Sequence, residues 1–424
     1  MSDRIIVSRL NNRGKEWFVN MIDSMHFRKV EQYHFGASLM VQLRDFNEKK
    51  YSYKSLWCFP AFGDSYHVRG ESGQVMFLLS NLYKGRHDFE MWFLRIADLL
   101  KNKVIMLPKE EEQKTFSIQE KIRMGFWILQ MCRLRLSLKE KFFCANLIMS
   151  GKRNLDKVIE AIEKGQVRSV ITMADVHLAD YMVTAYCNKR GIKTATLQHG
   201  FFSADDAFFH YSESDFFLSY SQYTKQLAET YRKRRGIFIA IGMPDFVGEK
   251  KPDVRKKSDS QRKRFLVLLN GALSKEQKDN ISMLTLCKEY AEKNDCLFDV
   301  KPHPADKNLD EYRTIISGRG KFVASKFNIT EQFAQYDFCV ANVTTMALKA
   351  VYVLTPILLF RNKGEKSYFG LEDSRLNFSD YVEMKQGVSY IQENDVQNEL
   401  IRIREFLCGE GDITNNYKEF LKEL

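Results

Sequence analysis

From residue 167 to residue 360, short apolar runs alternate with longer segments in which apolar residues recur every three or four positions. The short runs are typical of buried strands, and the longer segments have the period of amphipathic helices. Strands are predicted over residues 167–173, 192–198, 214–221, 237–244, 264–271, 296–304, 322–326, 337–342 and 356–360. Helices are predicted over residues 177–191, 222–236, 275–294, 329–336 and 344–354. This alternation indicates an α/β protein whose parallel sheets are covered by helices on both faces.

The alternation is interrupted between residues 245 and 264, where the chain is charged and contains proline, serine and glycine. A chain of 424 residues also exceeds the size at which a single core usually stops growing. Two Rossmann-like domains that face an interdomain cleft are therefore predicted. The predicted bounds are 1–247 for the N-terminal domain, 248–263 for a basic linker and 264–424 for the C-terminal domain.

Residues 1–165 have a less regular pattern, rich in aromatic residues and methionine. They are assigned to the N-terminal domain as a helical extension. The amphipathic stretch at 117–138 indicates core packing, with a peripheral membrane face as the alternative.

The composition, 44% hydrophobic and 28% charged, is that of a globular protein. The eight cysteines form no CxxC pair, which favours reduced core thiols in a cytosolic protein over a disulfide framework or a zinc site. The N-terminus is unlike a signal peptide, and no uncharged stretch reaches the roughly 18 residues that span a bilayer. A cytoplasmic protein is expected, either soluble or peripheral on the inner face of the plasma membrane.

The net charge of +11 is concentrated between residues 232 and 264, where twelve basic residues face four acidic ones. Such a run is either a solvated linker or a surface that attracts anionic lipid or an anionic polymer. Nucleic-acid binding is not predicted, because no zinc finger or aromatic RNP motif accompanies the charge.

The first candidate site follows the strand at 192–198, since ligands of open parallel sheets bind beyond the carboxyl ends of the strands. Gln198, His199 and Gly200 stand there on the acceptor side. His199 can act as a general base near neutral pH, or it is a histidine satisfied by a backbone carbonyl. Asp175, which follows another strand together with His177, is a candidate for orienting that base.

A second candidate site lies in the predicted C-terminal domain, in the segment KPHPAD. Two prolines stiffen the loop around His303. Lys301 brings charge and His303 a directional hydrogen bond, which together suit a phosphate or diphosphate. The alternative is an ordinary turn with a basic residue before Asp306.

Two further strand ends carry candidate nucleotide-binding residues. Thr344 and Thr345 begin a helix, where hydroxyls and free N–H groups bind anions or simply cap the helix. Asn270 and Gly271 end the first strand of the C-terminal domain, where backbone can approach a ligand. Neither GxGxxG nor GxxxxGK[ST] occurs, so dinucleotide and Walker-type sites are not supported.

Four segments together resemble GT-B glycosyltransferases of the capsule and teichoic-acid type: LQHGFF, IAIGMPDF, VKPHPAD and YDFCVANVTTMALKAVYVLTPIL. That group includes CDP-glycerol glycerophosphotransferases, bacterial polysialyltransferases and capsule Kdo transferases. The resemblance covers residues 167–360. It implies acid/base work on the acceptor for His199, contact with the donor phosphate for His303, and nucleotide binding at Thr344 and Thr345.

One departure from those families concerns the last nucleotide-binding helix. Many GT-B enzymes carry a ribose-binding glutamate there, whereas this chain has Lys349 and no acid. Leu354 and Thr355 also replace the glycine that often precedes the proline.

The expected activity is metal-independent and cofactor-free transfer of a sugar from a nucleotide-sugar donor to an oligosaccharide or lipid-linked glycan. The product would be a bacterial surface polysaccharide. One alternative is a transferase that uses CDP-glycerol or CDP-ribitol. Another is a non-catalytic nucleotide-binding or scaffold protein of polysaccharide assembly. A nucleotide-sugar epimerase shares the implied fold.

Overall fold

The computed structural model describes residues 21–22, 36–44, 51–70, 72–109, 114–134, 136–200, 212–231, 236–252, 264–271, 274–303, 306, 308–323, 332–365, 369–371, 375–394 and 396–424. Their contacts form two compact units. The first unit comprises the described parts of Met1–Ser219, Lys225–Ala240 and Thr414–Leu424. The second comprises those of Tyr220–Thr224 and Ile241–Ile413.

The described residues form thirteen strands in two sheets. In chain order the strands are β1 Tyr66–Arg69, β2 Val75–Leu78, β3 Lys103–Pro108, β4 Ser169–Thr172, β5 Lys193–Leu197, β6 Phe216–Ser219, β7 Ile237–Ala240, β8 Arg264–Leu268, β9 Leu297–Lys301, β10 Gly320–Phe322, β11 Phe338–Ala341, β12 Ile357–Phe360 and β13 Asn377–Phe378.

The longer helices of the described residues are also numbered in chain order. They are α1 Gly36–Arg44, α2 Tyr53–Cys58, α3 His87–Ala97, α4 Ile118–Gln130, α5 Leu138–Gly165, α6 Leu178–Lys189, α7 Gln222–Tyr231, α8 Ser274–Lys293, α9 Leu309–Ile316, α10 Thr345–Tyr352, α11 Tyr381–Glu393, α12 Gln397–Cys408 and α13 Ile413–Glu423. Short 3-10 turns cover Asn81–Tyr83, Met131–Arg133, Pro244–Phe246 and Phe333–Gln335.

The first unit is built on a seven-stranded sheet in the order β1-β3-β2-β4-β5-β6-β7. Only β1 runs antiparallel to its neighbour; the other pairs are parallel. Ile171 of β4 lies opposite Phe77 of β2 and Ala195 of β5. Every residue of β2 and β4 is buried, as expected for a parallel sheet covered on both faces. The carboxyl ends of β2, β4 and β5 therefore meet at one edge.

The second unit is built on a six-stranded, wholly parallel sheet in the order β10-β9-β8-β11-β12-β13. Its centre consists of β8 and β11, where Val267 lies opposite Val340. The carboxyl ends of β8, β9, β11 and β12 meet at one edge, which carries the predicted nucleotide-binding residues. The prediction of an α/β protein with two parallel-sheet units is confirmed.

Two serine residues cap the N-termini of α4 and α5, the longest helices of the first unit. Ser117 accepts a hydrogen bond from the backbone N–H of Glu120, whose carboxylate accepts one from the N–H of Ser117. Ser137 and Glu140 repeat the arrangement at the start of α5. Both are capping boxes, which satisfy backbone donors that the first turn leaves open. The 28-residue α5 then runs through the main core of the unit.

Several parts of the structure were not visible in the sequence pattern. Strands β1, β2 and β3 fall within the region assigned to a helical extension. Strand β10 lies over 320–322, ahead of the predicted 322–326, and the described part of the predicted helix at 329–336 is mainly a 3-10 turn. Most of the predicted basic linker, 253–263, lies outside the described residues, as do residues 232–235.

The last helix corrects the predicted extent of the C-terminal domain. Residues 414–424 pack with the first unit, not with the second. The ring of Phe420 on α13 meets that of Phe216 on β6 edge-on, with centroids 5.4 Å apart. The physical reason is amphipathicity: Tyr417, Phe420 and Leu421 form an apolar face that must be covered, and the first sheet covers it.

None of the eight cysteines forms a disulfide, and six of them are buried. Within the described residues, no helix is long and apolar enough to cross a membrane.

Candidate functional site

The first unit gathers polar residues at the edge where its central strands end. β2 leads into a 3-10 turn that carries Tyr83, and β4 leads into Asp175 and His177. β5 leads into Gln198 and His199. Because neighbouring parallel strands end together, residues far apart in the sequence become neighbours here.

The rings of Tyr83, His177 and His199 form a triangle at this edge, which we call the ring cluster. Their centroids are 6.1 Å apart for Tyr83 and His177, 6.2 Å for Tyr83 and His199, and 6.3 Å for the two histidines. Phe89 of α3 meets His199 edge-on at 6.1 Å. These distances are those of packed aromatic rings. His199 therefore has one face fixed by its neighbours.

His199 is only partly exposed, and its Nδ1 is buried. Burial lowers the pKa of His199 to about 3, and the nearby His177 and Arg86 add to the decrease. A hydrogen bond with the backbone of Met173 acts in the opposite direction. The imidazole is therefore neutral at pH 7. It can take up a proton only when an anionic or polar group beside it stabilises the imidazolium.

Asp175, the predicted partner of the base, instead holds the chain before β6. Its Oδ2 accepts hydrogen bonds from the hydroxyls of Ser212 and Ser214 and from the backbone N–H groups of Glu213 and Ser214, at 2.8–2.9 Å. Its Oδ1 is buried and has no hydrogen-bond partner among the described residues. Burial raises the pKa of Asp175. The carboxylate makes no described hydrogen bond to His199, so its orienting role stays a prediction.

A second carboxyl that the sequence analysis did not single out, Asp180, lies close to Asp175. It stands in the first turn of α6 and accepts a hydrogen bond from the N–H of Ala174 at 3.3 Å. Burial raises the pKa of Asp180 to about 8, and the charge of Asp175 contributes. Asp180 is thus protonated at neutral pH. It also raises the pKa of Tyr83, after the larger effect of that phenol's burial.

Gln198 and Gly200 shape the turn that presents His199. The buried Gln198 donates from Nε2 to the carbonyl of Gly200 at 2.7 Å, and its backbone N–H donates to Leu218 of β6. The side chain therefore closes the turn. Contact between these residues and an acceptor stays a prediction, and Phe201 and Phe202 lie outside the described residues.

The second unit has a cationic edge where β9 and α10 come together. Lys301 ends β9 and is half-buried. Burial lowers the pKa of Lys301, and the neighbouring Lys349 on α10 lowers it further. His303 follows two residues later and is also partly exposed. The structure thus brings one of the two predicted phosphate ligands, Lys301, near a second lysine.

The 3-10 turn after β7 covers one side of α10. Lys349 donates to Asp245 Oδ1 at 2.6 Å, and both side chains are largely buried. The ring of Tyr352 stacks on that of Phe246. Lys349 and Tyr352 share a helix face with Thr345, since these positions are three and four residues apart. Where the resemblance leads one to expect a glutamate, an aspartate from another segment is therefore present, paired with Lys349.

The beginning of α10 is capped by the predicted Thr344. Its hydroxyl accepts a hydrogen bond from the N–H of Met346 at 3.4 Å, which is ordinary N-capping. The side chain of Asn342, at the end of β11, accepts from the N–H of Val343 at 2.8 Å. Thr345 is the first helical residue and is partly exposed. The capping role of Thr344 is established, and anion binding here stays a prediction.

A buried amide network fixes the end of β8 relative to the end of β9. The Asn280 side chain accepts from the N–H of Asn270 at 3.1 Å and donates to its carbonyl at 3.2 Å. It also donates to the hydroxyl of Tyr312, which in turn donates to Asp306 at 2.8 Å. The backbone N–H of Asp306 donates to the carbonyl of His303. Asn270 and His303 are thereby held in a fixed relation.

Gly271 follows Asn270 and lies directly against a carboxylate. A Cβ atom at this position would come within 2.3 Å of the Glu276 side chain. A larger residue here would push aside the Glu276 carboxylate, which is the end of a flexible side chain. The predicted backbone approach of a ligand to Gly271 is untested.

The described residues contain no group of three histidine, cysteine, aspartate or glutamate side chains suited to hold a metal ion. That the reaction needs no metal and no cofactor stays a prediction.

Comparison with known proteins identifies the fold. No protein-family model matches the chain. No curated protein sequence matches it either. Among solved structures, the S. aureus MnaA–UDP complex matches with a TM-score of 0.50 at 12% identity, covering 82% of this chain and 97% of that one.

Two further solved structures are similar to the chain. A UDP-N-acetylglucosamine 2-epimerase matches with a TM-score of 0.51 at 11% identity, over 83% of this chain and 95% of that one. MurG from Acinetobacter baumannii matches at 6% identity and a TM-score of 0.46, over 83% and 100%. The MnaA and epimerase structures have the GT-B fold, and so does this chain. At such identities the likeness shows the fold alone.

Proposed function

We propose that the protein is a glycosyltransferase that moves a sugar from a nucleotide-sugar donor to a growing bacterial surface polysaccharide. The observation that carries this proposal is the cationic edge of the second unit. Two lysines are close enough there for Lys349 to depress the pKa of Lys301, and the amino end of α10 adds the positive end of a helix dipole. An anionic ligand would relieve that repulsion.

The chemistry of the fold neighbours supports a nucleoside diphosphate as the anion. The S. aureus MnaA structure contains UDP, and the epimerase is named for UDP-N-acetylglucosamine. A diphosphate carries two adjacent negative centres, which suit Lys301 together with the N–H groups that begin α10; Lys349 is already paired with Asp245. Lys301, His303 and the N–H groups near Thr345 would hold the diphosphate, and Asn270 and Gly271 would offer backbone.

In the proposed reaction, an acceptor hydroxyl oxygen attacks the anomeric carbon of the donor sugar, and the bond from that carbon to the diphosphate oxygen breaks. The electron pair stays on the leaving nucleoside diphosphate, whose charge the cationic edge stabilises. The hydroxyl proton passes to His199, which is neutral and can accept it. Because burial lowers the pKa of His199, the imidazolium would need an anionic group of the substrate beside it.

Transfer of a polyol phosphate from CDP-glycerol or CDP-ribitol is the closest alternative. The same groups would act, but attack would occur at phosphorus, and phosphate would appear in the product polymer.

Epimerisation of a nucleotide sugar is a second alternative, favoured by the UDP-N-acetylglucosamine 2-epimerases among the fold neighbours and by the buried, neighbouring carboxyls Asp175 and Asp180 in the first unit. It would change the donor in the absence of any acceptor. A scaffold protein without turnover would neither transfer the sugar nor epimerise the donor.

Donor binding is tested by thermal shift with CMP, CDP, UDP, GDP and their sugar conjugates. Ligands that bind only the native protein raise its melting temperature. We expect diphosphates to give the larger shifts, and Lys301→Gln to reduce them. Lys321→Gln, an exposed lysine on β10, is the matched control. Equal shifts in all three proteins would exclude the cationic edge as the nucleotide site.

Turnover is tested with the donor that stabilises the protein and with glycan acceptors. His199→Asn should lower the rate of transfer at least about 100-fold, the usual contribution of a general base, while nucleotide binding persists. His67→Asn, an exposed histidine on β1, should have no effect. NMR of the donor without acceptor separates epimerisation from transfer, and chelation by EDTA tests the metal-independent mechanism.

A further inference from the structure

Helix α4 exposes a row of large apolar side chains. Ile118, Ile122, Phe126 and Leu129 are 77%, 57%, 64% and 67% exposed. They follow one another at four, four and three positions, so they line a single face of the helix. We call these four residues the α4 stripe. A contiguous exposed apolar patch of this kind marks an interaction surface.

The opposite face of α4 packs into the core of the first unit. Met124, Trp127 and Ile128 are buried in the main core of the first unit, which α5 also lines. A helix at the surface of a globular protein normally pairs such a face with a polar one. Because α4 is apolar on both faces, the α4 stripe is not explained by the folding of this unit.

Aromatic residues from α2 and α5 extend the apolar surface beside the α4 stripe. Trp57 packs at Gly125 of α4, 3.7 Å from where a Cβ would lie. The ring of Phe142 meets both Trp57 and Tyr53 edge-on, at 5.4 and 5.7 Å. The Lys139 ammonium lies over the Tyr53 ring, 5.4 Å from its centroid. Tryptophan, tyrosine and lysine are the residue types that anchor proteins at a bilayer–water interface.

Three described cations flank the α4 stripe. Lys121 and Arg123 lie on α4 and Arg133 on the turn after it, and none of the three forms an ion pair within the described residues. The only carboxylate of α4 belongs to Glu120. It is already engaged by Arg153, whose Nε and Nη2 each donate to it at 2.6 Å. Among the described residues, the cations beside the stripe therefore have no neutralising carboxylate.

We propose that the α4 stripe inserts into the interface of a lipid bilayer that contains anionic headgroups. An apolar row flanked by lysine and arginine is the arrangement by which interfacial helices bind such membranes. The site differs from the basic run at 232–264, which offers charge without an apolar row. The proposal does not depend on catalysis, since membrane binding is measured without donor or acceptor.

The experiment is co-sedimentation of the full chain with vesicles of phosphatidylcholine, alone or mixed with phosphatidylglycerol. Wild-type protein should sediment with the mixed vesicles. Ile122→Gln combined with Phe126→Gln should weaken binding at least about tenfold, the lower end for one buried aromatic or aliphatic side chain. Met91→Gln, which replaces a half-exposed methionine on α3, is the matched control and should bind as wild type does. Because Ile122 and Phe126 are both exposed, their replacement should leave the melting temperature unchanged.

The contribution of positive charge to vesicle binding is measured separately. Lys121→Gln and Arg123→Gln should each weaken binding to mixed vesicles about fivefold, and added salt should weaken wild-type binding. A protein whose residues 232–235 are glutamine should still bind if the α4 stripe is the main contact.

Four results would overturn the proposal. The first is wild-type binding by the Ile122→Gln/Phe126→Gln protein, and the second is loss of binding only when residues 232–235 are changed. The third is equal binding to vesicles of phosphatidylcholine alone. The fourth is a wild-type dimer that the stripe substitutions dissociate, with no vesicle binding, which would assign the stripe to a second copy of the chain.

Discussion

Asp180 is predicted to make the folded protein less stable as the pH rises from about 4 to about 8. Its pKa is about 8 in the fold, against an ordinary 3.8. Between these values the unfolded chain has released the proton and the folded chain has kept it. The free energy of unfolding then falls as the pH rises, by about 1.4 kcal/mol per pH unit. Between pH 5 and pH 8 the loss is on the order of 4 kcal/mol.

Asp180→Asn should abolish this dependence, because the amide does not titrate and can still accept the hydrogen bond from Ala174. The measurement is the melting temperature of both proteins at several pH values from 5 to 8. For a unit of this size, each kcal/mol corresponds to about 2–4 °C, so the wild type should lose roughly 8–15 °C more than the variant. Asp98→Asn, on an exposed carboxylate, controls for the loss of a charge. Parallel curves for wild type and Asp180→Asn would show that Asp180 is ionised in the fold.

Three further predictions concern single positions. Arg86→Gln should raise the pKa of His199, because the guanidinium charge lowers it; histidine NMR across pH would show the shift, and an unchanged titration would contradict it. Gly409→Ala should lower the free energy of unfolding by at least about 3 kcal/mol, because φ is +114° there and a Cβ would meet backbone at 2.7 Å. Gly411→Ala, where a Cβ would meet open space, should lower it by about 1 kcal/mol, and urea unfolding compares the two. Gln166→Gly should raise the free energy of unfolding by about 0.5–1 kcal/mol, because this exposed residue ends α5 at φ +52°; a lower melting temperature would refute it.

The sheets of residues 167–360 could be predicted because most strands there are buried and are flanked by helices of clear period. β11 and β12, for example, are continuous apolar runs. Strands β1 to β3 could not be recognised, since they are short and stand among helices that are equally apolar. The attachment of α13 to the first unit depends on contacts between residues about 200 positions apart, such as Phe216 and Phe420, which local periodicity does not report.

The sequence predicted that the candidate residues follow strands, but it did not predict which side chains surround them. His199 and Lys301 stand at strand ends, which the order of elements alone indicates. Tyr83 joins His199 only because β2 lies beside β4 in the sheet, and that neighbour relation was not visible in the sequence. Lys349 could be noticed as a departure from the resemblance, whereas its pairing with Asp245 required the structure.

The packing of α13 determines in which order the two units can be completed during synthesis. Every residue of the second unit has been made once the ribosome has passed Ile413. The first unit is started earlier, yet it lacks the apolar face of α13 against Phe216 until the helix has emerged. Domains usually fold in the order of their synthesis. In this chain, the unit that is begun first is the one that is finished last.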